Sequence, residues 1–321
     1  MKSKIIITGG LGFVGKNLTR ALLENCNSEI VIVDDCSNSN VEYDKDLLSN
    51  VKFYKISVCD SKNFLPLLKG VAYIFHLASR GISSGSVDPI NDLNVNTHSS
   101  LEMLEYLRIE KPRNFKRFIY ASTSSIYGNN AILPFNETLS PEILNHYAGS
   151  KFLAESYGRL YAKKYNVPTV ALRLSNVYGP GQSPFNLYCG VIGKFVFNAL
   201  LNRPLTIFSC WDHTRDYTFI EDVIDAFILS SKSAKAVGNI YNVGTGVEIS
   251  VKELINTLFK YFPDINYELE TQRDIDNIQR RCVCNKKIYN ELGWIPKYDL
   301  QKGVIKTIEW SRQFLKTVLA T

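Results

Sequence analysis

Two residues one helical turn apart, Tyr147 and Lys151 in the stretch YAGSK, have the types and spacing needed for acid–base chemistry. Residues four apart share one face of a helix, so the lysine ammonium would lie beside the tyrosine phenol. A neighbouring cation favours the phenolate and lowers the pKa of the phenol, which would make Tyr147 a base near neutral pH. The alternative is an exposed tyrosine next to an ordinary surface lysine, and the stretch alone does not exclude it.

A glycine-rich turn, TGGLGFVG from Thr8, is the second stretch with chemical potential. Gly9, Gly12 and Gly15 stand between a predicted strand and a predicted helix, where they allow a tight turn and close backbone approach to a pyrophosphate. Asp34 ends the next predicted strand, where a carboxylate can accept hydrogen bonds from an adenosine ribose and repel a 2′-phosphate. This context predicts NAD rather than NADP; the alternative is a glycine turn beside a solvated aspartate.

Short apolar runs alternate with helix-length segments through the first half of the chain. The runs are rich in Val, Ile, Phe and Tyr, as strands buried on both faces are, and they occupy residues 4–8, 29–34, 51–56, 71–76, 117–121 and 169–174. Helical patterns between them include residues 12–25 and 88–107. The alternation predicts an α/β fold, a Rossmann-type doubly wound parallel sheet with helices on both faces.

The regular alternation fades after about residue 175, where the stretch GPGQSP breaks the chain. Further helical patterns lie near residues 191–201, 221–231, 251–261 and 303–315. We therefore predict an NAD-binding domain over residues 1–175, with a returning segment near 216–246. A smaller α/β substrate-binding domain over residues 176–321 would be interleaved with it.

Composition narrows the function classes. The 321 residues carry a net charge of +6 with scattered Lys and Arg, which suits an anionic small molecule and does not predict nucleic-acid binding. No apolar window approaches a membrane span and the start MKSKIIITGG has no signal-peptide pattern, so we expect a cytoplasmic protein without a membrane partner. Seven dispersed cysteines fit reduced thiols. Cys282 with Cys284, and Cys210 with His213, are incomplete ligand sets, so no metal site is predicted.

Several stretches together resemble one family. They are TGGLGFVG, the acidic end of the second predicted strand, HLAS from His76, STSSIYG from Ser122, YAGSK, LRLSNVYGPGQ from Leu172 and RDYTFIEDV from Arg215. In this order they are similar to the extended short-chain dehydrogenase/reductase family, in its NAD-dependent epimerase/dehydratase group, which acts on nucleotide sugars. The resemblance runs from residue 8 to about residue 300.

The resemblance implies a role for each matching residue. Tyr147 would be the catalytic base, Lys151 would lower its pKa and hold the nicotinamide ribose, and Thr123 would hydrogen-bond the reacting sugar oxygen. NAD contacts are implied for Gly9, Gly12, Phe13, Val14, Gly15, Asp34, Asn38, Val58, Leu77, Ala78 and Asn94, besides Tyr147 and Lys151.

Contacts with the substrate diphosphate are implied for Asn176, Arg215 and Arg273, and guanidinium groups suit phosphate oxygens. For Arg215 the alternative is an ion pair with Asp216 or Asp222.

Two regions depart from the family pattern. Ser57 stands where the family usually has an aspartate that holds the adenine amino group. The spacing from Arg280 and Arg281 to the stretch LGW at Leu292 is one residue longer than usual. The second departure leaves unassigned the region that normally closes over the sugar.

Ser124 and Ser125 decide which reaction the resemblance implies. Dehydratases of the family carry Asp-Glu immediately after the catalytic threonine, and related decarboxylases usually place Glu where Ser125 stands. Without these acids, the implied activity is a UDP-hexose 4-epimerase that works by transient NAD-dependent oxidation at C4. It would interconvert UDP-glucose and UDP-galactose or their N-acetyl forms, as a homodimer formed through paired helices.

Two other functions remain open from the sequence. A nucleotide-sugar 4-ketoreductase shares the Thr, Tyr and Lys but consumes a reduced cofactor, and a non-catalytic NAD-binding sensor could use the same fold. The sequence also leaves open the sugar series, whether glucose, N-acetylglucosamine or glucuronate, and the choice between uridine and thymidine.

Overall fold

The structure is a computed structural model that describes residues 2–39, 41–186, 189–208, 211–271 and 278–319. Of the predicted site residues, Arg273 lies outside these ranges, and the others lie within them.

The described strands are numbered β1 to β13 in chain order. They are Lys4–Thr8, Glu29–Val33, Lys52–Tyr54, Val71–His76, Arg117–Thr123, Thr169–Leu174, Asn176–Tyr178, Leu205–Phe208, Thr214–Arg215, Tyr217–Phe219, Ile240–Val243, Ile249–Ser250 and Tyr267–Glu270.

The described α-helices are numbered α1 to α12 in the same way. They are Phe13–Asn25, Lys45–Leu48, Ser61–Phe64, Ile82–Val87, Pro89–Leu93, Ser99–Glu110, His146–Tyr165, Val191–Leu200, Ile220–Lys232, Val251–Phe259, Lys286–Leu292 and Leu300–Leu319.

One seven-stranded sheet dominates the fold, in the order β11-β6-β5-β4-β1-β2-β3. All of its neighbouring strands pair in parallel. The strand order turns back beside β1, which is the arrangement of a doubly wound nucleotide-binding sheet. The predicted fold class is therefore confirmed.

Strand β1 shows why the apolar runs of the sequence become central strands. Ile5 and Ile7 pack into one buried cluster together with residues of α1 and α9, whereas Ile6 packs into the cluster on the opposite face with residues of α6. Successive side chains of a strand point to opposite faces, so a strand covered by helices on both sides must be apolar throughout.

The segment predicted as one helix over residues 88–107 is divided into three parts. Helix α5 ends at Leu93, a π turn covers Asn94–His98, and α6 then begins at Ser99. A π turn is wider than an α-helical turn and is frequent at functional sites, because it changes which residues face a neighbouring element.

The chain returns to the large sheet late. Strand β11 lies within the predicted returning segment 216–246 and pairs with β6 at the sheet edge. Strands β7 with β10, β9 with β12, and β8 with β13 form separate two-stranded sheets. The division into two domains at about residue 175 stays a prediction. None of the helices within the described ranges has the length and apolar character that crossing a membrane requires.

Candidate active site

The turn between β1 and α1 is built so that only glycine fits at its critical positions. Gly9 has a φ of +65°, and a Cβ there would lie 2.7 Å from the backbone nitrogen of Ala78. A Cβ on Gly15 would lie 2.2 Å from the carbonyl oxygen of Gly9. The missing side chains let the N-terminus of α1 approach the end of β1, which exposes backbone N–H groups to an anionic ligand.

A cleft of about 770 Å³ opens over this turn. Its lining includes the predicted cofactor residues Gly9, Gly12, Phe13, Val14, Gly15, Asp34, Asn38, Val58, Leu77 and Ala78. The volume lies in the range of about 300–1,000 Å³ that ligand and cofactor sites occupy. Shape and lining therefore fit a dinucleotide, with the glycine turn at its pyrophosphate.

Asp34 is held in a fixed orientation at the end of β2. One carboxylate oxygen accepts a hydrogen bond from the backbone N–H of Leu11 at 3.0 Å, and the other accepts from the N–H of Cys36 at 2.9 Å. Burial raises the pKa of this carboxyl group, and the hydrogen bonds oppose that rise. A partly buried acceptor in this cleft suits the hydroxyls of an adenosine ribose.

We expect the protein to bind NAD at least about tenfold more tightly than NADP, because in the predicted role the Asp34 carboxylate would repel a 2′-phosphate. In the variant Asp34→Asn the ratio of the two dissociation constants should fall toward one. Isothermal titration of the cofactor-free protein measures both constants. Asp46→Asn, an exposed aspartate of α2, is the matched control, and an unchanged ratio in Asp34→Asn would contradict the assignment.

Asn94 is not among the residues that line the cleft, and its side chain is exposed at the start of the π turn. Asn96, two residues later, is fully buried. Its side-chain oxygen accepts a hydrogen bond from the N–H of Arg80 at 2.8 Å, and its amide donates to the Arg80 carbonyl at 3.2 Å. Asn96 therefore fixes the cleft wall that follows β4, and the sequence prediction named Asn94 and not Asn96.

The far wall of the cleft was not predicted. It is formed by a loop after β7 and by one residue of α12, namely Gly181, Gln182, Ser183, Phe185, Asn186, Cys189 and Phe314. The Asn186 amide donates to the Asn38 carbonyl at 3.2 Å, and the Phe185 and Phe314 rings are 6.4 Å apart. The GPGQ stretch marked this loop as a chain break, but only the fold shows which face it covers.

The three predicted reacting residues lie on β5, the strand next to β4 in the sheet, and on α7. Thr123 ends β5, and its hydroxyl oxygen accepts a hydrogen bond from the N–H of Ser125 at 3.1 Å. Tyr147 and Lys151 lie in the first turns of α7, which Asn145 caps by accepting from the N–H of Ala148 at 2.8 Å. Helix α7 packs on β5, so β5 and α7 carry all three residues in adjacent elements.

Lys151 is buried beside the aromatic ring of Tyr120. The lysine is 2% exposed, and its ammonium lies 4.3 Å from the centre of that ring. Burial lowers the pKa of Lys151 to about 7, and the carboxylates of Asp92 and Glu155 oppose this shift. The charge of the ammonium near neutral pH therefore depends on these two acids.

Basic residues that are far apart in the sequence form a cluster. Arg281 is 4% exposed and donates to the side-chain oxygen of Asn176 at 3.3 Å. Burial raises the pKa of Tyr217 to about 12, and the guanidinium groups of Arg215 and Arg281 both oppose that rise. The structure thus brings Asn176 and Arg215 near a third candidate, Arg281, which the sequence left unassigned.

The alternative for Arg215 was an ion pair with Asp216 or Asp222, but the carboxylates of these two aspartates bind backbone N–H groups. The Asp216 carboxylate accepts hydrogen bonds from the N–H groups of Thr245 and Gly246. The Asp222 carboxylate accepts from the N–H groups of Lys297 and Tyr298. Both acids therefore tie loops to the fold.

The doubly wound sheet and its dinucleotide-sized cleft define a Rossmann-type nucleotide-binding protein. Comparison with known families makes the class specific, because residues 5–244 match the NAD dependent epimerase/dehydratase family. The chain belongs to that family.

Named relatives within the family include both epimerases and dehydratases. The chain is 32% identical to the dTDP-D-glucose 4,6-dehydratase of Homo sapiens, over 97% of this chain and 90% of the relative. It is 31% identical to the UDP-glucose 4-epimerase of Mycolicibacterium smegmatis, over 96% and 98% of the two chains. The UDP-glucose 4-epimerase of Thermotoga maritima, solved with UDP-glucose, superposes with a TM-score of 0.90 at 30% identity, covering 97% of this chain and 99% of that one.

Proposed function

We propose that this protein is an NAD-dependent UDP-hexose 4-epimerase, acting on UDP-glucose and UDP-galactose or on their N-acetyl forms. The observation that carries the choice between the reactions of the family is the pair of hydroxyls after Thr123. Ser124 and Ser125 are 1% and 2% exposed, and the resemblance implies Asp-Glu at these positions in a dehydratase. A serine hydroxyl cannot serve as the acid and base that expel water from the sugar.

The chain's own residues supply the remaining steps. Tyr147 as phenolate would take the proton of the C4 hydroxyl and return it after the sugar has turned, with Thr123 hydrogen-bonding the same oxygen. Lys151 would stabilise the phenolate. Arg215 and Arg281 would hold the diphosphate as guanidinium ligands. NAD, when bound in the cleft, supplies hydride acceptance and return.

The residues that line the cleft support NAD as the cofactor. The glycine turn would hold the pyrophosphate, Asp34 the adenosine ribose, and Val58 would pack beside the adenine. Asn186 and Phe185 on the far wall would keep the dinucleotide in place between turnovers. An epimerase regenerates its NAD in every cycle, so retention of the cofactor suits this reaction and not a ketoreductase.

The experiment that tests the proposal is incubation of the purified protein with UDP-glucose, UDP-N-acetylglucosamine and UDP-glucuronate, each with NAD. Chromatography that resolves C4 epimers, coupled to mass spectrometry, separates the candidate reactions. Epimerisation leaves the mass unchanged and a dehydratase gives a product lighter by one water. A ketoreductase, which can only run in reverse with NAD, gives a 4-ketone lighter by two hydrogens and forms one reduced cofactor for each molecule of product. Absence of a C4 epimer from every substrate would defeat the proposal.

We also propose that the protein forms a homodimer through the outer faces of α6 and α7. Leu153 and Leu160 are seven residues apart on α7 and are 41% and 46% exposed, and Ile109 on α6 is 58% exposed. Helices with apolar residues on an outer face are suited to pairing with a symmetric copy.

We expect the variant Leu153→Glu/Leu160→Glu to be monomeric in light-scattering chromatography, because charges on this face oppose its burial. Leu229→Glu, which changes a leucine of α9 with 37% exposure, is the matched control and should leave the assembly unchanged. A wild-type chain that is monomeric at all concentrations would contradict the dimer.

A further inference from the structure

Asp92 is a carboxylate buried in the fold without a role in the proposed reaction. It lies on α5 and is 0% exposed. One oxygen accepts a hydrogen bond from the Ser150 hydroxyl at 2.6 Å, and the other accepts from the Asn96 amide at 3.1 Å. Burying a charge is unfavourable unless its hydrogen bonds and surroundings compensate, so the question is what this carboxylate does.

The hydrogen bonds of this region converge on Ser150, which lies in the turn of α7 between Tyr147 and Lys151. Besides Asp92, the Asn96 amide lies 3.0 Å from the Ser150 hydroxyl, and the Thr97 hydroxyl donates to the Ser150 carbonyl at 2.8 Å. In an α-helix, Thr97 would point away from the face that carries Asp92. The wider π turn brings residues five apart onto one face, so it lets all three side chains reach α7.

Besides Asp92 on α5, charged and titratable groups face Lys151 from α7, β4 and β5. Glu155 on α7 is in an ion pair with Arg173, N to O 2.6 Å. His76 on β4 is neutral, because burial lowers its pKa to about 3. Tyr120 on β5 presents its ring to the ammonium, and Tyr147 lies one turn before it.

Asp92 differs from Glu155 in its charge balance. Within the described parts of the chain, no Lys or Arg nitrogen lies within 4.0 Å of its carboxylate, and the basic side chains that act on it from farther away are those of Lys151, Arg80 and His146. Its negative charge therefore acts on the buried lysine without a direct counter-ion, whereas that of Glu155 is matched by Arg173.

We propose that Asp92 is a positioning residue for the Tyr147–Lys151 pair, which anchors the turn of α7 between them through Ser150 and keeps the buried ammonium protonated. The inference rests on the proposed function in that it takes Tyr147 to be the base. It adds a requirement of its own, that the charge on Lys151 depends on a carboxylate from a different helix.

The variant Asp92→Asn tests this, because it removes the charge and keeps the size and hydrogen-bonding groups. Loss of the attraction lowers the pKa of Lys151, and an uncharged lysine no longer stabilises the phenolate. We expect the alkaline limb of the kcat/KM–pH profile to move down by about one pH unit, with KM for the UDP-sugar changed less than about threefold.

Two further variants separate charge from anchoring. Asp88→Asn removes a carboxylate one turn earlier and keeps an asparagine as N-cap of α5, so its pH profile should match the wild type. Ser150→Ala keeps the Asp92 charge and removes the anchor, and it should lower kcat without moving the alkaline limb. Asp92→Ser gives the same charge change should Asp92→Asn fail to fold.

A readout that needs no turnover keeps this inference distinct from the proposed function. The ¹⁵N resonance of the Lys151 amine, assigned with Lys151→Arg, reports its titration directly. A lower Lys151 pKa in Asp92→Asn supports the inference even if no substrate is epimerised, in which case only the proposed function fails. If Asp92→Asn is folded and moves neither the Lys151 titration nor the alkaline limb, the inference is overturned.

Discussion

Replacement of Tyr147 by Phe is expected to lower epimerase turnover about 10²- to 10⁴-fold, the range that one general acid–base group contributes. The change removes only the hydroxyl that would carry the proton, and the ring of a half-buried residue in the first turn of α7 stays in place. Steady-state rates with the best UDP-sugar, and titration of NAD and UDP-sugar into the variant, measure the effect.

The size of the expected effect follows from how strongly the Lys151 ammonium must stabilise the Tyr147 phenolate. Moving a tyrosine pKa from about 10 to about 7 requires about 4 kcal/mol of preferential stabilisation of the phenolate. A unit positive charge about 4 Å away supplies an amount of this order at an effective dielectric constant of about 20. Burial takes the pKa of Lys151 itself to about 7, so a phenolate formed beside it would in turn favour the protonated lysine.

Tyr157→Phe is the matched control, because Tyr157 is a half-buried tyrosine on the same helix, and it should retain full turnover. Dissociation constants of Tyr147→Phe for NAD and UDP-sugar should stay within a few-fold of the wild type. Retention of more than a tenth of the activity, or a loss explained by weaker binding, would refute the role of Tyr147. A non-catalytic NAD sensor predicts instead that Tyr147→Phe keeps its biological activity.

The parts of the fold that the sequence predicted are those set by local pattern. Parallel strands covered on both faces must be apolar throughout, so the run at residues 4–8 was visible and matches β1. The glycine turn was visible because no residue with a Cβ can stand at Gly9 or Gly15. Both features appear in the sequence as local patterns, although the Cβ collision at Gly9 is with the distant Ala78.

The parts that escaped prediction depend on contacts between distant segments. A helical pattern over residues 88–107 does not reveal the π turn at Asn94–His98, so it does not show that Asn96 is buried and Asn94 exposed. Arg281 approaches Asn176 across 105 residues of sequence, and no periodicity predicts that approach. Asp92 became visible only through its burial against α7.

Replacement of Arg173 by Met is expected to lower the free energy of unfolding by about 3–5 kcal/mol, the cost of leaving one member of a buried ion pair behind. Arg173 and Glu155 are 3% and 2% exposed, and an arginine nitrogen lies 2.6 Å from a carboxylate oxygen. A second arginine nitrogen donates to the Tyr127 hydroxyl at 2.7 Å, which in turn donates to Asn242 at 2.8 Å. Urea unfolding followed by circular dichroism measures the change.

The loss of stability in Arg173→Met is expected to come from the unpaired carboxylate of Glu155, and a second variant tests this cause. In Arg173→Met/Glu155→Leu both charges are gone, so much of the lost stability should return, since apolar replacements of a whole buried pair are often neutral. Lys297→Met breaks an exposed pair with Asp225, 2.5 Å from N to O, and should cost less than about 1 kcal/mol. If Arg173→Met lowers the free energy of unfolding no more than this surface control, the expectation is wrong. Glu155 would then be hydrated or protonated in the variant, and the core between β6 and α7 would be more open than the burial of these two side chains indicates.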